Sequence, residues 1–301
     1  MAKVSILMNG FNSEKYLRNA IDSVYAQTFE DWIIVFIDNC STDDTENIVR
    51  SYDKKIKYYK TKTKLNLGSA RNYGLKFCKS NFLAFLDTDD IWDNKKLEKQ
   101  INAIDKNTAL VYSSVITIDS KGKKLWKTRV SKHPCFTSLL KRYDINMQSV
   151  LLNTEMIKSK LMFNEKLSYC PDYDLFMNLA AKKLEFKSIN DPLVSYRLHI
   201  DSLSSKTRSI QVKEIYTVIK SLKKKYPSLY KHHKALIKKT LFKTKILFQA
   251  KYLLKDENFF AASKSYFKLS NFHLKYLLIS IILFFPLLNR VMYNLILKKI
   301  L

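Results

Sequence analysis

Phe85-Leu86-Asp87-Thr88-Asp89-Asp90 closes an apolar run that begins at Phe82 and delivers three carboxylates to one short turn. Burying the run 82–86 as a strand is favourable. Crowding three anions at its end is not, unless a cation sits among them. A hard divalent ion with oxygen ligands is the usual answer. Acids at the carboxyl end of a central strand also stand where open α/β sheets bind ligands. A helix cap explains one acid, with Asp90 or Asp93 capping a helix over 95–104, but not three.

Working outward, residues 4–8 read as a buried strand, and Ser13 is placed to cap a helix that aligns Leu17, Ile21, Val24 and Tyr25 on one face. A second buried strand, 32–37, ends at Asp38-Asn39-Cys40-Ser41-Thr42-Asp43-Asp44, where Ser41 or Thr42 can cap a helix over 44–52. Residues 56–59 give a third strand, 68–79 a helix, and 82–86 the strand that carries the acids. Strands alternating with helices at this spacing predict parallel βαβ units with right-handed crossovers. The polar clusters 9–12, 38–44 and 87–90 then share one sheet edge and converge on a cleft. Arg71, in Ser69-Ala70-Arg71-Asn72, adds a cation that can answer a phosphate or a base, pair with Asp87 or Asp89, or do both.

Beyond residue 108 the pattern changes. Residues 109–118 and 124–130 alternate as antiparallel strands around Ser120-Lys121-Gly122. A helix is predicted over 172–183 and a strand over 193–196, and from about Lys206 only helical periodicity is visible, broken at Pro227 and Pro286.

The composition bounds the class. The 301 residues are 47% hydrophobic with only 4 Gly and 5 Pro, which excludes disordered and loop-dominated chains. Cys40, Cys78, Cys135 and Cys170 show neither metal-ligand spacing nor a disulfide framework. The start, Met1-Ala2-Lys3, leads directly into a strand with no room for a signal peptide, so a reducing cytoplasm is expected. Of the net charge of +26, residues 205–301 carry +18, from 21 Lys/Arg against 3 Asp/Glu. Such a field attracts nucleic acid or anionic lipid. The aromatic and basic residues are not arranged as a nucleic-acid reader, and no nucleic-acid partner is expected. The uncharged run 276–288 is too short to span a bilayer and is interrupted by Pro286, with Arg290, Lys298 and Lys299 beyond it. It suits a basic helical segment lying in an anionic membrane interface, or a helical hairpin packed on the rest of the protein.

Seven short pieces, in order, carry a resemblance. They are Val4-Ser5-Ile6-Leu7-Met8 with Phe11-Asn12; Ala26-Gln27-Thr28-Phe29; Asp38-Asn39-Cys40-Ser41-Thr42-Asp43; Ala70-Arg71-Asn72; Phe85-Leu86-Asp87-Thr88-Asp89-Asp90; Pro171-Asp172-Tyr173-Asp174; and Tyr196-Arg197-Leu198-His199. Together they span residues 4 to about 204, and they resemble the family 2 glycosyltransferases. The resemblance implies a GT-A fold, an α/β architecture with a Rossmann-like mixed central sheet and helices on both faces, followed by a C-terminal helical region. Residues 1–204 form the catalytic domain, with 1–108 the nucleotide-sugar half and 109–204 the acceptor half; residues 205–301 are the basic helical region.

It also implies roles. Phe11, Asn12, Asp38, Arg71, Asp87 and Arg197 fall at nucleotide-sugar positions, with Asp38 on the base and Asp87 on the ribose. Asp89, Asp90 and His199 fall beside the Mn²⁺ or Mg²⁺, with the nearer carboxylate left open. Asp172 matches the catalytic base, with Asp174 as its rival; two positions apart on a helix, at most one can face the cleft. The implied activity is inverting transfer of a sugar from a nucleotide-diphosphate sugar, a UDP-sugar being the expected donor. The acceptor is the hydroxyl of a glycan or lipid-linked molecule in surface polysaccharide or lipo-oligosaccharide synthesis, peripheral to the inner face of the cytoplasmic membrane. The family often places proline where Asn9-Gly10 stands here and an acid where Pro171 stands; Gly10 would let the backbone approach the base. Two other classes compete. An inactive GT-A domain acting as a membrane-bound scaffold or sugar-nucleotide-binding protein would not need Asp87, Asp89 and Asp172. A nucleotidyltransferase would need a glycine-rich, basic loop after the first strand, which Asn9-Gly10-Phe11-Asn12 does not supply.

Overall fold

The alternating strand and helix signals of the first half form parallel βαβ units. The computed structural model describes residues 2–157, 161–199, 202, 208–255, 258–272 and 274–284. In order come β1 (Val4–Gly10), α1 (Glu14–Tyr25), β2 (Trp32–Asp38), α2 (Thr45–Arg50), β3 (Ile56–Lys60), α3 (Leu67–Leu75) and β4 (Phe82–Phe85). β1 pairs in parallel with β2 and β4, and β2 with β3. The registers Gly10↔Asp38 and Leu7↔Phe85 bring the residues after β1, β2 and β4 to one edge, the edge that carries the acids. α1 buries Leu17, Ala20, Ile21 and Val24 against this sheet, each large side chain worth about 1.5–3 kcal/mol of transfer free energy.

Three cap expectations are corrected. Ser13 precedes α1 without capping it, because its Oγ accepts from Phe11 N at 3.1 Å and Thr88 Oγ1 at 2.9 Å. The N-cap of α2 is Asp44, while Ser41 Oγ accepts from Asn12 N at 3.0 Å. Asp90 caps nothing: its Oδ1 accepts from Arg197 N at 2.8 Å. Asp93 instead accepts from Lys95 N, just ahead of α4 (Lys96–Ala103). In each case a longer-range partner outcompetes the local cap. α3 also stops before the expected Lys79, its end tightening into three-residue turns from Phe77 N to Gly74 O and Cys78 N to Leu75 O. Gly10 has a packing role, since a Cβ there would meet the Phe36 ring at 2.8 Å.

The sheet then turns mixed. It gains β5 (Ile91–Trp92), β6 (Thr108–Ile118), β7 (Lys124–Lys127), β8 (Val150–Asn153) and β9 (Glu185–Arg197), with α5 (Phe136–Lys141), α6 (Thr154–Ile157) and α7 (Pro171–Ala181) between them. The strand order is β3-β2-β1-β4-β8-β6-β9-β5, with β7 attached only to β6. β8 inserts antiparallel between β4 and β6, β6 and β7 form the expected hairpin, and β9 runs parallel to β6. Buried amides bind this half together. Gln27 Nε2 donates to Ser23 O and Asp93 O while its Oε1 accepts from Leu97 N. Gln100 Nε2 donates to Val111 O and Ser149 O while its Oε1 accepts from Lys96 Nζ. A fully buried amide so satisfied fixes the relative placement of three elements.

The chain divides into two compact units, Met1–Ser205 and Lys206–Leu301. The second contains α8 (Arg208–Lys225), α9 (Pro227–His232), α10 (Lys234–Lys255), α11 (Phe259–Leu269) and α12 (Leu274–Phe284). Pro227 starts α9 at a position where its missing N–H costs nothing. Ile246, Leu254, Tyr266, Leu269, Tyr276 and Leu283 are among the residues of its core. Pro286, Arg290, Lys298, Lys299 and the end of the apolar run 276–288 lie outside the described residues. Among the described residues no helix is long and apolar enough to cross a membrane.

Candidate active site

The acid turn follows β4 directly. One ligand oxygen from each of Asp87, Asp89 and Asp90 lies within 4.8 Å of the others. Asp90 is buried, and its Oδ2 has no hydrogen-bond partner. Burial, with Asp89 and Asp87 beside it, pushes Asp90 well above the usual carboxylate range. Asp87 keeps 38% of its side chain open to solvent. Burial of the rest pushes it up to about 6; Arg71 and Gln148 oppose this, and Asp89 and Asp172 reinforce it. Three converging carboxylates, one with an orphaned buried oxygen, are a set of hard oxygen donors short of positive charge. They fit a divalent Mg²⁺ or Mn²⁺ ion.

Cations and amides surround the turn. Buried Arg71, on α3, places Nη2 3.6 Å from Asp87 Oδ1, with its guanidinium 5.4 Å from the centre of the Phe163 ring. Of the two carboxylates the sequence offered as its partner, it pairs with Asp87. Arg197, at the end of β9, donates Nε to Asp89 O at 2.9 Å and its backbone N to Asp90, and its guanidinium lies 4.5 Å from the Tyr16 ring centre. His199 Nε2 is 2.9 Å from Asp89 Oδ2, and its ring packs on Tyr16. His199 therefore meets the cluster through Asp89.

Cys170 is the N-cap of α7 and Pro171 its first residue, and Asp172 stands in the first turn, where its carboxylate also accepts from the backbone N–H groups of Asp172 and Tyr173. Its Oδ2 accepts from Tyr143 Oη at 3.1 Å. Burial raises Asp172, while Arg71 and the Tyr143 hydroxyl hold it down. Its charge is felt at Asp87. Asp174, the rival, is buried two positions further along the helix, its backbone carbonyl accepting from Asn178 Nδ2.

The remaining candidates lie along the same edge with different engagements. Asp38 is fully buried: Oδ1 accepts from Ser41 N at 2.7 Å and Oδ2 from Tyr58 Oη at 2.6 Å. Asn12, with φ +49°, spends its Oδ1 on Thr42 N. Asp38 and Asn12 thus brace the loops after β1 and β2. Phe11 is exposed, with Lys64 Nζ 3.3 Å from its ring centre.

Sequence reasoning did not single out Gln148 or Tyr143. Gln148 donates Nε2 to Asp87 Oδ2, and its carbonyl accepts from Trp92 Nε1 at 3.1 Å. Tyr143 and Gln148 sit five residues apart in one connection, and each holds one oxygen of a site carboxylate. No local motif marks either residue, because both act across the sheet.

The comparisons fit this geometry. The family model for glycosyl transferase family 2 matches residues 5–165. The chain belongs to that family. This family 2 glycosyltransferase is 30% identical over 205 residues to the Escherichia coli UDP-Glc:α-D-GlcNAc-diphosphoundecaprenol β-1,3-glucosyltransferase WfgD, covering 67% of this chain and 79% of that protein. Its fold resembles S. aureus TarS 1–349, solved in complex with UDP-GlcNAc, with TM-score 0.61 and 21% identity over 72% of this chain. The match spans 64% of the TarS fragment, just under two thirds of its length. The mannosyltransferase PcManGT from Pyrobaculum calidifontis, solved with GDP-Man and Mn²⁺, aligns with TM-score 0.65 and 12% identity over 99% of this chain and 82% of its own. The fold is GT-A, and the reaction class of the family is sugar transfer.

Proposed function

We propose that this family member is an inverting, metal-dependent glycosyltransferase that moves a sugar from a UDP-sugar to a hydroxyl of a lipid-linked glycan in surface polysaccharide synthesis. The observation that carries the reading is the convergence of Asp87, Asp89 and Asp90, one oxygen orphaned, with Asp172 near enough for its charge to reach Asp87. Residues 1–108 would hold the donor and 109–204 the acceptor.

Asp87, Asp89 and Asp90 would hold the Mg²⁺ or Mn²⁺ ion, which offsets the charge gathered by a nucleoside diphosphate leaving group. Arg71 adds a fixed cation on the same side. Asp172 takes the proton from the attacking hydroxyl, and inversion requires that base on the face opposite the leaving group. A single carboxylate suffices because the anomeric carbon carries oxocarbenium character. Burial raises the Asp172 carboxyl, and Arg71 and the Tyr143 hydroxyl oppose that rise. Arg197 and His199 hold the backbone and carboxylate of Asp89, and Phe11 offers an exposed ring for a base to stack on.

The name of WfgD supports a UDP-sugar donor and a diphosphoundecaprenol-linked acceptor. The +18 charge of residues 205–301 supports a peripheral position on the anionic inner face of the cytoplasmic membrane, as do Leu278, Ile281 and Phe284, exposed at three-residue spacing on α12. The test is a panel of nucleotide sugars with a synthetic lipid-diphosphate-sugar acceptor and Mn²⁺, with product anomer assigned by NMR. Transfer with inversion from one UDP-sugar is the expected result. Retention would remove Asp172 as sole base, and absence of both transfer and donor hydrolysis would favour a binding-only protein.

A further inference from the structure

The β6–β7 hairpin carries an exposed basic and apolar surface outside the acid cluster. Every residue from 121 to 127, Lys-Gly-Lys-Lys-Leu-Trp-Lys, is exposed. Leu125 is 45% and Trp126 52% open to solvent. β7 pairs with β6 alone, so nothing among the described residues covers its outer side as a further strand. The tip is rigid. Asp119 N and O bond Lys123 O and Gly122 N, its carboxylate accepts from Lys121 N and Lys123 N, and Gly122 takes a φ of +88° that other residues rarely adopt.

Charge accompanies the apolar pair. Lys121, Lys123, Lys124 and Lys127 make four cations in seven positions, against 53 in 301 for the whole chain. From Lys121 to Tyr143 there are eight Lys/Arg and no Asp or Glu. The nearest acids have other work: Asp119 closes the turn, and Asp191 pairs with Lys99. Lysine stems lie along apolar surface while their heads meet anionic headgroups, and tryptophan favours the boundary between headgroup and acyl chain. A glycan would call for carboxylate or amide side chains beside the Trp, and residues 121–127 contain none.

We infer that the β6–β7 hairpin docks the catalytic unit on an anionic lipid surface through Trp126, Leu125 and the lysines around them. The position adds to the argument. Ser120, at the hairpin tip, accepts through its carbonyl from Arg197 Nη1 and Tyr16 Oη, each at 3.4 Å, and Arg197 grips Asp89 and Asp90. Docking there sets the acid cluster beside the lipid surface that a lipid-linked acceptor occupies. The contact requires neither the helical unit nor a particular donor sugar.

The chain contains its own reporter. Of three tryptophans, Trp32 and Trp92 are 4% and 3% exposed, and residues 206–301 contain none. The full-length chain is mixed with phosphatidylglycerol/phosphatidylcholine vesicles carrying brominated acyl chains, without donor or acceptor. Trp emission should shift blue and be quenched, vesicles of phosphatidylcholine alone should do neither, and Trp126→Phe should abolish the change. Replacing the four lysines with Gln should weaken vesicle affinity by about 10-fold or more at low salt. All four positions are exposed, so an unchanged melting temperature is expected and checks the fold. Sedimentation of the chain with vesicles while Trp126 emission stays unchanged would assign binding to another surface and overturn the inference. So would an emission change with soluble oligosaccharide and none with vesicles, or no vesicle binding at all.

Discussion

The two units use charge in opposite ways. In the first, a few ionisable groups are buried or half-buried and each has named partners: Asp87 with Arg71 and Gln148, Asp89 with His199, Asp172 with Tyr143. In the second, cations outnumber acids about seven to one and many of the lysines are exposed. Exposed charges interact through a high dielectric and are screened by salt. Buried ones shift their own protonation and bind counterions. Single substitutions should therefore act strongly in the first unit and weakly in the second, and that contrast can be tested from the large end downward.

The largest effect is expected from Asp89→Ala. Removing one of three crowded carboxylates should reduce metal-supported transfer by about 10³-fold or more. In metal-free buffer it should leave stability equal or higher, because like-charge repulsion is relieved. Thermal melts with and without Mn²⁺ check both halves of the statement. A large loss of metal-free stability would mean that Asp89 is structural.

Asp172→Asn comes next. The amide keeps the shape and the Tyr143 contact but cannot take a proton. Donor affinity should hold while turnover falls by at least about 10²-fold, the lower range for a general base. Near-normal turnover would move the base to Asp174 or elsewhere.

Tyr143→Phe should be milder and visible in pH. The hydroxyl lowers Asp172, so its loss raises the carboxylate, and a base is active only when deprotonated. The acid limb of kcat should move to higher pH, with a drop of about 3–10-fold at mildly acid pH, the scale of one hydrogen bond. Activity at the plateau should change little. An unshifted limb with a uniform drop would give Tyr143 a packing role alone.

A lysine in the first unit sharpens the comparison directly. Lys96 is fully buried, with Gln100 Oε1 2.7 Å from its Nζ and the Trp92 ring 3.8 Å away, and burial holds it well below the usual lysine value. Between its folded value and its unfolded value near 10.4, the unfolded chain binds the extra proton, so stability rises with pH across that window. Lys96→Met should flatten that rise, and at pH 10 it should cost about 1–3 kcal/mol, because Gln100 Oε1 loses its buried donor. Denaturant melts from pH 6 to 10 provide the check.

By contrast, Lys223→Gln with Lys224→Gln, on the exposed last turn of α8, should change stability by no more than about 0.5 kcal/mol per site. Turnover on a soluble acceptor should be unaffected. A loss comparable to Lys96→Met in size would break the contrast between the units.

The same contrast explains what could be read in advance. The parallel half was legible because long apolar strands such as 32–37 alternate with one-faced helices such as α1, and both signals are local. β8 was not, because four residues, Val-Leu-Leu-Asn, are too short for periodicity to separate strand from helix. The acid turn was legible from crowding alone. The partners that position it were not: Gln148 lies 61 residues from Asp87, and Arg197 lies 107 from Asp90. The helix caps failed for the same reason, since Ser13, Ser41 and Asp90 each take a partner distant in the sequence: Thr88, Asn12 and Arg197.

The central claim is that Asp87, Asp89 and Asp90 hold a divalent ion that a nucleotide diphosphate requires. Calorimetric titration of UDP into the full-length chain, with Mn²⁺ and then with excess chelator, tests it most directly. A binding isotherm is expected with Mn²⁺, and it should disappear in chelator and return when metal is restored. Equal UDP affinity in both conditions would contradict the claim.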